Sequence, residues 1–205
     1  MTGTIVLEGG GPFVANDDLD RRVLDGHERI VVLPTADAFE QPRDLVDAAL
    51  AWGERIGVEV EPLMVLTRPD ATAEAAAVID GATCVALVGD SAPHLRSVLK
   101  DTPVFDAIER LVARAGLVIG VGPSASALCD PMTDRRGGAF ALGLGLVPGI
   151  AVITETESWS HDKLERAHDL ANVPEVDLPT GSALIRTADG WELVGEAEVR
   201  GELPD

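Results

Sequence analysis

The chain alternates short apolar runs with longer amphipathic segments, a pattern that predicts alternating strands and helices. The predicted strands are residues 4–7, 29–33, 58–66, 83–88 and 117–121. The predicted helices between them are residues 16–24, 42–56, 71–79 and 102–116. The run R-I-V-V-L at 29–33 is continuously apolar, as expected of a strand that is covered on both faces. This order predicts repeated βαβ units around a parallel sheet.

Residues at the ends of the predicted helices support these boundaries. Asn16 is a predicted N-cap, and Thr102 followed by proline is the usual start of a helix. Gly57 and Gly116 follow the last apolar positions of their helices, where glycine commonly ends a helix.

The last quarter of the chain has a different pattern. Residues 183–186, a turn at 188–190 and residues 191–194 predict an antiparallel hairpin at the sheet edge. No linker or internal repeat divides the chain. We therefore predict one three-layer α/β domain over residues 1–205, with a mostly parallel sheet, helices on both faces and a C-terminal antiparallel hairpin.

Composition narrows the classes of function. The 205 residues are 46% hydrophobic, enough for a core, and 35 acidic against 16 basic side chains leave a net charge of −19. Such a charge disfavours phosphate backbones and anionic membrane surfaces, so we expect neither nucleic acid nor membrane partners. No run approaches the ~20 apolar residues of a membrane helix, and the first residues lack the positive segment of a signal peptide. The expected location is cytoplasmic.

The cysteines and histidines are too few and too scattered for a metal site. Cys84 and Cys129 cannot build a disulfide framework or a zinc cage. We therefore expect no metal and no organic cofactor.

Candidate chemistry lies after the strands, because ligands of open parallel sheets bind at the carboxyl ends of the strands. Small residues follow four of the strands, at 9–11, 34–36, 89–91 and 122–126. Small side chains there allow the backbone to approach a ligand closely.

Ser124 is the most specific candidate among these residues. It lies in the segment V-I-G-V-G-P-S-A-S-A-L at 118–128, the layout of a nucleophile elbow. The N–H of Ala125 would then be free to stabilise an oxyanion. The alternative is that Ser124 only caps a helix, since Ser126 replaces the second glycine of the G-x-S-x-G motif.

A serine nucleophile requires a base, and His161 is the candidate because it follows the late apolar run at 150–154. The other histidines are expected in a polar loop or on exposed helix faces; they are His27, His94 and His168. Several acids lie between or beside the serine and the histidine, namely Asp130, Asp134, Glu155 and Glu157, and spacing does not choose among them. Cys129 as a nucleophile is disfavoured, because it falls five residues beyond Ser124 inside an apolar helix.

Together these segments resemble, in order and over nearly the full length, the dipeptidase E and cyanophycinase family of serine peptidases, whose fold is similar to class I glutamine amidotransferases. The resemblance is carried by I-V-L-E-G-G-G, R-I-V-V-L-P-T-A, V-A-L-V-G-D-S-A-P-H-L, G-L-V-I-G-V-G-P-S-A-S-A, G-L-G-L-V-P-G-I-A-V-I and V-D-L-P-T-G-S-A-L-I. Of these, the segment ending P-S-A-S-A resembles the family motif G-x-S-A-G-A.

The resemblance implies acyl transfer on a small peptide or amide, with Ser124 as nucleophile and His161 as general base. It assigns the oxyanion hole to the backbone of Gly89 and Ala125, and Asp134 is expected to be the third member of the triad. The residues expected to contact substrate are Asp90, Ser91, Ser126 and Arg166, and Arg135 and Arg136 would offset the acidity of the chain.

Two departures from the family motif leave a second hypothesis. Pro123 removes an N–H beside the candidate nucleophile, and Ser126 stands where the family has glycine. The chain is then either a serine hydrolase or an inactive relative that keeps the fold for binding or assembly. Under either hypothesis a homodimer is one candidate assembly, and the sequence leaves the oligomeric state open.

Overall fold

The computed structural model describes residues 2–204, so Met1 and Asp205, the ends of the predicted domain, lie outside the described residues. The helices are α1 (Asp17–Val23), α2 (Pro42–Ile56), α3 (Ala73–Asp80), α4 (Ala92–Leu99), α5 (Pro103–Ala113), α6 (Pro123–Leu128) and α7 (His161–Leu170). The strands are β1 (Thr4–Glu8), β2 (Arg29–Leu33), β3 (Glu59–Pro62), β4 (Cys84–Leu87), β5 (Leu117–Val121), β6 (Cys129–Asp130), β7 (Met132–Asp134), β8 (Ala139–Ala141), β9 (Val147–Pro148), β10 (Ala151–Thr154), β11 (Glu175–Leu178), β12 (Ala183–Thr187), β13 (Gly190–Val194) and β14 (Glu198–Arg200).

A seven-stranded sheet runs through the molecule in the order β13-β12-β1-β5-β4-β2-β3. The five strands from β1 to β3 in this order are parallel to one another. The hairpin of β12 and β13 is antiparallel and joins the sheet beside β1, with Leu7 opposite Leu184. The prediction of a mostly parallel sheet with an antiparallel hairpin at its edge is confirmed.

Both faces of this sheet are covered. Along β1, Ile5 and Leu7 belong to one core cluster and Val6 to the other, as the alternation of side chains in a strand requires. Helices α1 and α2 cover the second face with residues such as Leu19 and Trp52. Helices α3 to α6 cover the first. The prediction of helices on both faces is confirmed.

The second half of the chain adds structure that the pattern did not predict. A three-stranded sheet has the order β10-β11-β14, with β10 and β11 parallel, and two short two-stranded ladders lie between α6 and β10. The strand predicted at 58–66 is only Glu59–Pro62 long: the Leu63 N–H still donates to the Val32 carbonyl at 2.9 Å, and the chain then turns toward a short 3-10 helix, Arg68–Asp70. Asn16 forms no side-chain cap on α1 and instead donates its amide to Glu8.

Within residues 2–204, no helix is long and apolar enough to span a membrane.

Candidate functional site

The carboxyl ends of β1, β4 and β5 lie at one edge of the sheet, because these strands are parallel. The end of β10 joins them, since Glu155 N–H donates to the Gly9 carbonyl at 2.9 Å. Beside this junction lies a cleft of about 260 Å³. Its lining includes Asp90, Ser91, Ser126, Asp134, Arg136 and Lys163, and we call it the strand-end cleft.

The turn between β5 and α6 is made by a glycine. Val121 is the last residue of β5, Pro123 is the first residue of α6, and Gly122 between them has φ 58° and ψ −132°. The Gly122 N–H donates to the Glu8 carbonyl at 2.9 Å, which ties the turn to the end of β1. A sharp strand–turn–helix connection is therefore present where the sequence predicts an elbow.

Ser124 lies two residues beyond this turn, inside α6. It is fully buried, and its hydroxyl donates to the Gly89 carbonyl at 3.1 Å. The N-cap position of α6 belongs to Gly122, so Ser124 is not the helix cap that the alternative interpretation proposed. Its neighbours Pro123 and Ser126 line the strand-end cleft.

His161 is the first residue of α7 and its side chain is 81% exposed. Its Nε2 lies 3.3 Å from Oε1 of Glu165, one helical turn along. Asp134 ends β7, and its Oδ1 accepts the Arg136 N–H at 2.9 Å. Among the described residues, no hydrogen bond or ion pair joins Ser124, His161 and Asp134, and their action as a triad stays a prediction.

Of the two predicted oxyanion donors, the N–H of Ala125 is engaged within its own helix, and the role of Gly89 stays a prediction. The Ala125 N–H donates to the Gly122 carbonyl at 2.9 Å, so it is not free as the sequence suggested. This follows from its place in the first turn of α6, where the Ala125 N–H points at the carbonyl of Gly122, three residues earlier. Gly89 has φ +114°, and a Cβ there would lie 2.5 Å from the backbone nitrogen of Asp37. Only glycine fits this close approach, which places the Gly89 carbonyl against Ser124.

The four residues expected to contact substrate fall into two groups. Asp90, Ser91 and Ser126 line the strand-end cleft. Of these, Ser126 is nearly buried and accepts the Thr133 N–H at 2.8 Å. Arg166 lies on an exposed face of α7 and is not among the residues that line the cleft.

Glu155, one of the four acids among which the sequence did not choose, lies at the junction of β1 and β10. It follows β10 directly, adopts a left-handed conformation with φ 52°, and forms an ion pair with Arg135. Partial burial raises the pKa of Glu155, against the lowering effect of Arg135. Its Cγ would lie 2.5 Å from a Cβ built on Gly10, so its side chain lies directly over the glycine turn that ends β1. Its position immediately after a buried strand was the available signal.

The sequence predicts a role for Arg136 among the cations of the cleft but none for Lys163. Arg136 and Lys163 line it, and the ammonium of Lys163 lies 4.6 Å from the ring centroid of Trp159. Among the described residues neither cation has an ion-pair partner, whereas Arg135 is held by Glu155 and Ser158. Sequence spacing had assigned Lys163 no role.

Metal ligation finds no support in the side-chain arrangement. Over residues 2–204, no group of three or more histidine, cysteine or carboxylate side chains is arranged to hold a metal ion.

Comparison with known proteins identifies similar folds. No protein-family model matches the chain, and no curated protein matches it in sequence. The crystal structure of a peptidase from an acI-B1 Actinobacterium superposes with a TM-score of 0.85 at 20% identity, covering 97% of this chain and 90% of that one. A Listeria monocytogenes EGD-e protein that carries the name Peptidase E has a TM-score of 0.70 at 14% identity, with 98% of each chain covered. The chain therefore has the fold of these two proteins.

Proposed function

We propose that this chain binds a small peptide or amide in the strand-end cleft without forming a covalent serine intermediate. The observation that carries the proposal is the state of Ser124, whose hydroxyl is fully buried and donates to the Gly89 carbonyl. A hydroxyl in this position is reached neither by solvent nor by a substrate in the cleft.

The candidate base supports the same conclusion. Nucleophilic catalysis requires the base within hydrogen-bond reach of the nucleophile, usually about 2.6–3.2 Å. His161 is solvent-exposed and pairs with Glu165, while Ser124 is held by Gly89. Each member of the expected pair is thus engaged elsewhere.

The charges of the cleft indicate what it would bind. The chain carries a net charge of −19, yet Arg136 and Lys163 line this cleft. Cations without partners in a concave site attract an anionic group. Asp90 and the Ser91 hydroxyl on the same lining offer acceptors for the amide or amine of the ligand. A dipeptide with a free carboxylate combines these features.

Ligand binding is tested by thermal shift with a set of dipeptides and their C-terminal amides. We expect the dipeptides to raise the Tm of the wild type, and the amides to have a smaller effect because they lack the carboxylate. Arg136→Ala should abolish the shift. Arg43→Ala, which changes an exposed arginine on α2, is the matched control and should keep it. Equal shifts with dipeptides and amides, or full binding by Arg136→Ala, would contradict the proposed charge recognition.

Hydrolysis through Ser124 and His161 is the second candidate. The fold likeness to two peptidases supports a peptidase-type hydrolase, and the neighbours of Ser124 line the cleft. A fluorophosphonate probe separates the two functions. We expect no labelling of the folded wild type; labelling that is lost in Ser124→Ala would establish the hydrolase and end the binding-only proposal.

A further inference from the structure

We infer that residue 122, and not residue 124, is the position at which this fold presents a nucleophile, so that glycine occupies the reactive position of the chain. The inference rests on the proposed function and deepens it. It explains binding without a covalent intermediate, because the elbow is present but carries no reactive side chain. Three features of the β5–α6 connection lead to it.

The first feature is the backbone of the turn. In a nucleophile elbow the reactive residue itself forms the strained turn between strand and helix, which raises its side chain above the sheet. Here that residue is Gly122, with φ 58° and ψ −132°, between the end of β5 and the start of α6. Ser124 lies within the helix, two residues after the turn, so the turn does not raise its side chain above the sheet.

The second feature is the packing of strand against helix. The G-x-S-x-G motif places a glycine two residues before the nucleophile, where strand and helix backbones approach closely. A Cβ on Gly120 would lie 2.9 Å from Ala125 Cα and 2.8 Å from Leu128 Cδ1, so Gly120 fills this requirement. Gly122 is not at such a close approach, because a Cβ on this residue would have only Gly10 Cα near it, at 3.8 Å. The motif therefore begins at Gly120, and its nucleophile position is residue 122.

The same numbers show that the position has room for a side chain. A contact of 3.8 Å is ordinary van der Waals distance, and Gly10 belongs to the glycine turn at the end of β1, beside Glu155. A side chain on residue 122 would therefore stand where the ends of β1, β5 and β10 meet.

The third feature is the residue that follows the turn. One oxyanion donor of an elbow is the backbone N–H of the residue after the nucleophile. In this chain that residue is Pro123, which has no N–H. The nucleophile and one oxyanion donor are thus missing at adjacent positions.

Placed this way, the family motif G-x-S-A-G-A aligns with residues 120–125, G-V-G-P-S-A. Gly120 and Ala125 match the motif, Gly122 stands in the place of the serine, and Ser124 stands in the place of the second glycine. At this position Ser124 is fully buried.

Thiol reactivity tests the inference directly. The native cysteines, Cys84 and Cys129, are both fully buried, and burial raises the pKa of the Cys84 thiol to about 12. The native thiols of the wild type should therefore react only slowly with an alkylating reagent. Gly122→Cys, Ser124→Cys and, as a cleft reference, Ser91→Cys are treated with iodoacetamide in the folded state and followed by mass spectrometry. Circular dichroism checks the fold of each variant.

We expect Gly122→Cys to fold and to react at least tenfold faster than Ser124→Cys, at a rate near that of Ser91→Cys. Reaction of Ser124→Cys as fast as Ser91→Cys would overturn the inference even if Gly122→Cys did not fold. Failure of Gly122→Cys to fold would also overturn it, because a nucleophile position must accept a small side chain. A reactive Gly122→Cys together with an absence of dipeptide binding would reject the proposed function and leave the assignment of residue 122 standing.

Discussion

At the scale of one residue, the carboxyl group of Glu8 at the end of β1 is buried and has a shifted pKa. Its side chain is buried, and Oε2 accepts the Asn16 amide at 2.9 Å. Asp20 is buried beside it and accepts the Trp52 indole N–H at 2.9 Å. Burial, and secondly the charge of Asp20, hold the pKa of Glu8 well above its usual range. The fold therefore favours the protonated form of Glu8.

This shift makes stability depend on pH with a definite sign. Because the pKa of Glu8 is higher in the folded than in the unfolded chain, its protonated form stabilises the fold at low pH. That stability is lost as the pH rises from the unfolded pKa through the higher folded pKa. Glu8→Gln removes the ionisation and keeps an acceptor for Asn16. We expect it to raise the free energy of unfolding at pH 7.5 by at least about 1 kcal/mol, since one pKa unit corresponds to about 1.4 kcal/mol.

Urea unfolding of Glu8→Gln between pH 5 and 8 measures this effect, and its stability curve should be flatter than that of the wild type. Glu54→Gln, on an exposed face of α2, is the matched control and should leave the curve unchanged. A less stable Glu8→Gln at pH 7.5 would mean that ionised Glu8 supports the fold.

At the scale of elements, the β5–α6 connection decides the geometry of the site. Strand and helix approach so closely at Gly120 that a Cβ would meet helix backbone, and the turn at Gly122 uses a backbone region that side chains rarely occupy. The two glycines thus have different physical roles, one in packing and one in backbone conformation.

Gly120→Ala isolates the packing role. Its methyl group would lie under 3.0 Å from Ala125 Cα, and a backbone atom cannot rotate away as a side chain does. We expect a loss of about 1–3 kcal/mol in the free energy of unfolding, the usual range for an overpacked core. Gly137→Ala, where a Cβ would meet no atom within 4 Å, should change it by less than about 0.5 kcal/mol. Chemical denaturation compares the two, and equal losses would show that the approach of strand and helix at Gly120 is not tight.

At the scale of the whole molecule, the net charge of −19 is the dominant feature of the surface. Many of the ion pairs, such as that of Arg110 and Asp80, join exposed side chains, and such pairs contribute little each. Repulsion among the remaining acids opposes the compact state.

Added salt should therefore stabilise the protein. We expect sodium chloride from 0.01 to 0.5 M to raise the Tm by a few degrees at pH 7.5, since about 1 kcal/mol corresponds to roughly 2–4 °C for a chain of this size. Potassium chloride must act equally, because screening depends on ionic strength and not on the cation. A Tm that falls with salt in differential scanning calorimetry would show that attractive pairs outweigh the repulsion.

Much of the fold could be predicted from local sequence. The continuous apolar run Arg29–Leu33 is buried at four of its five positions, and the stripe of Phe105, Ile108 and Leu111 faces the core, as their spacing requires. The turn at 188–190 joins an antiparallel pair as predicted. Asp90, Ser91 and Ser126, which the sequence placed just after parallel strands, line the cleft because such strands end at one edge of the sheet, whereas Asp134 lines it from the end of β7; their roles stay predictions.

The sequence by itself determined which segments form strands and helices and where candidate chemistry gathers, since periodicity and turn residues report local burial and conformation. Only the tertiary structure decided that Glu155 lies over Gly10, that His161 faces solvent, and that the elbow turns at Gly122 rather than at Ser124. These outcomes depend on long-range packing and on a positive φ. Glycine permits that φ but does not require it, so a segment with two closely spaced glycines leaves the position of the turn to the packing of strand against helix.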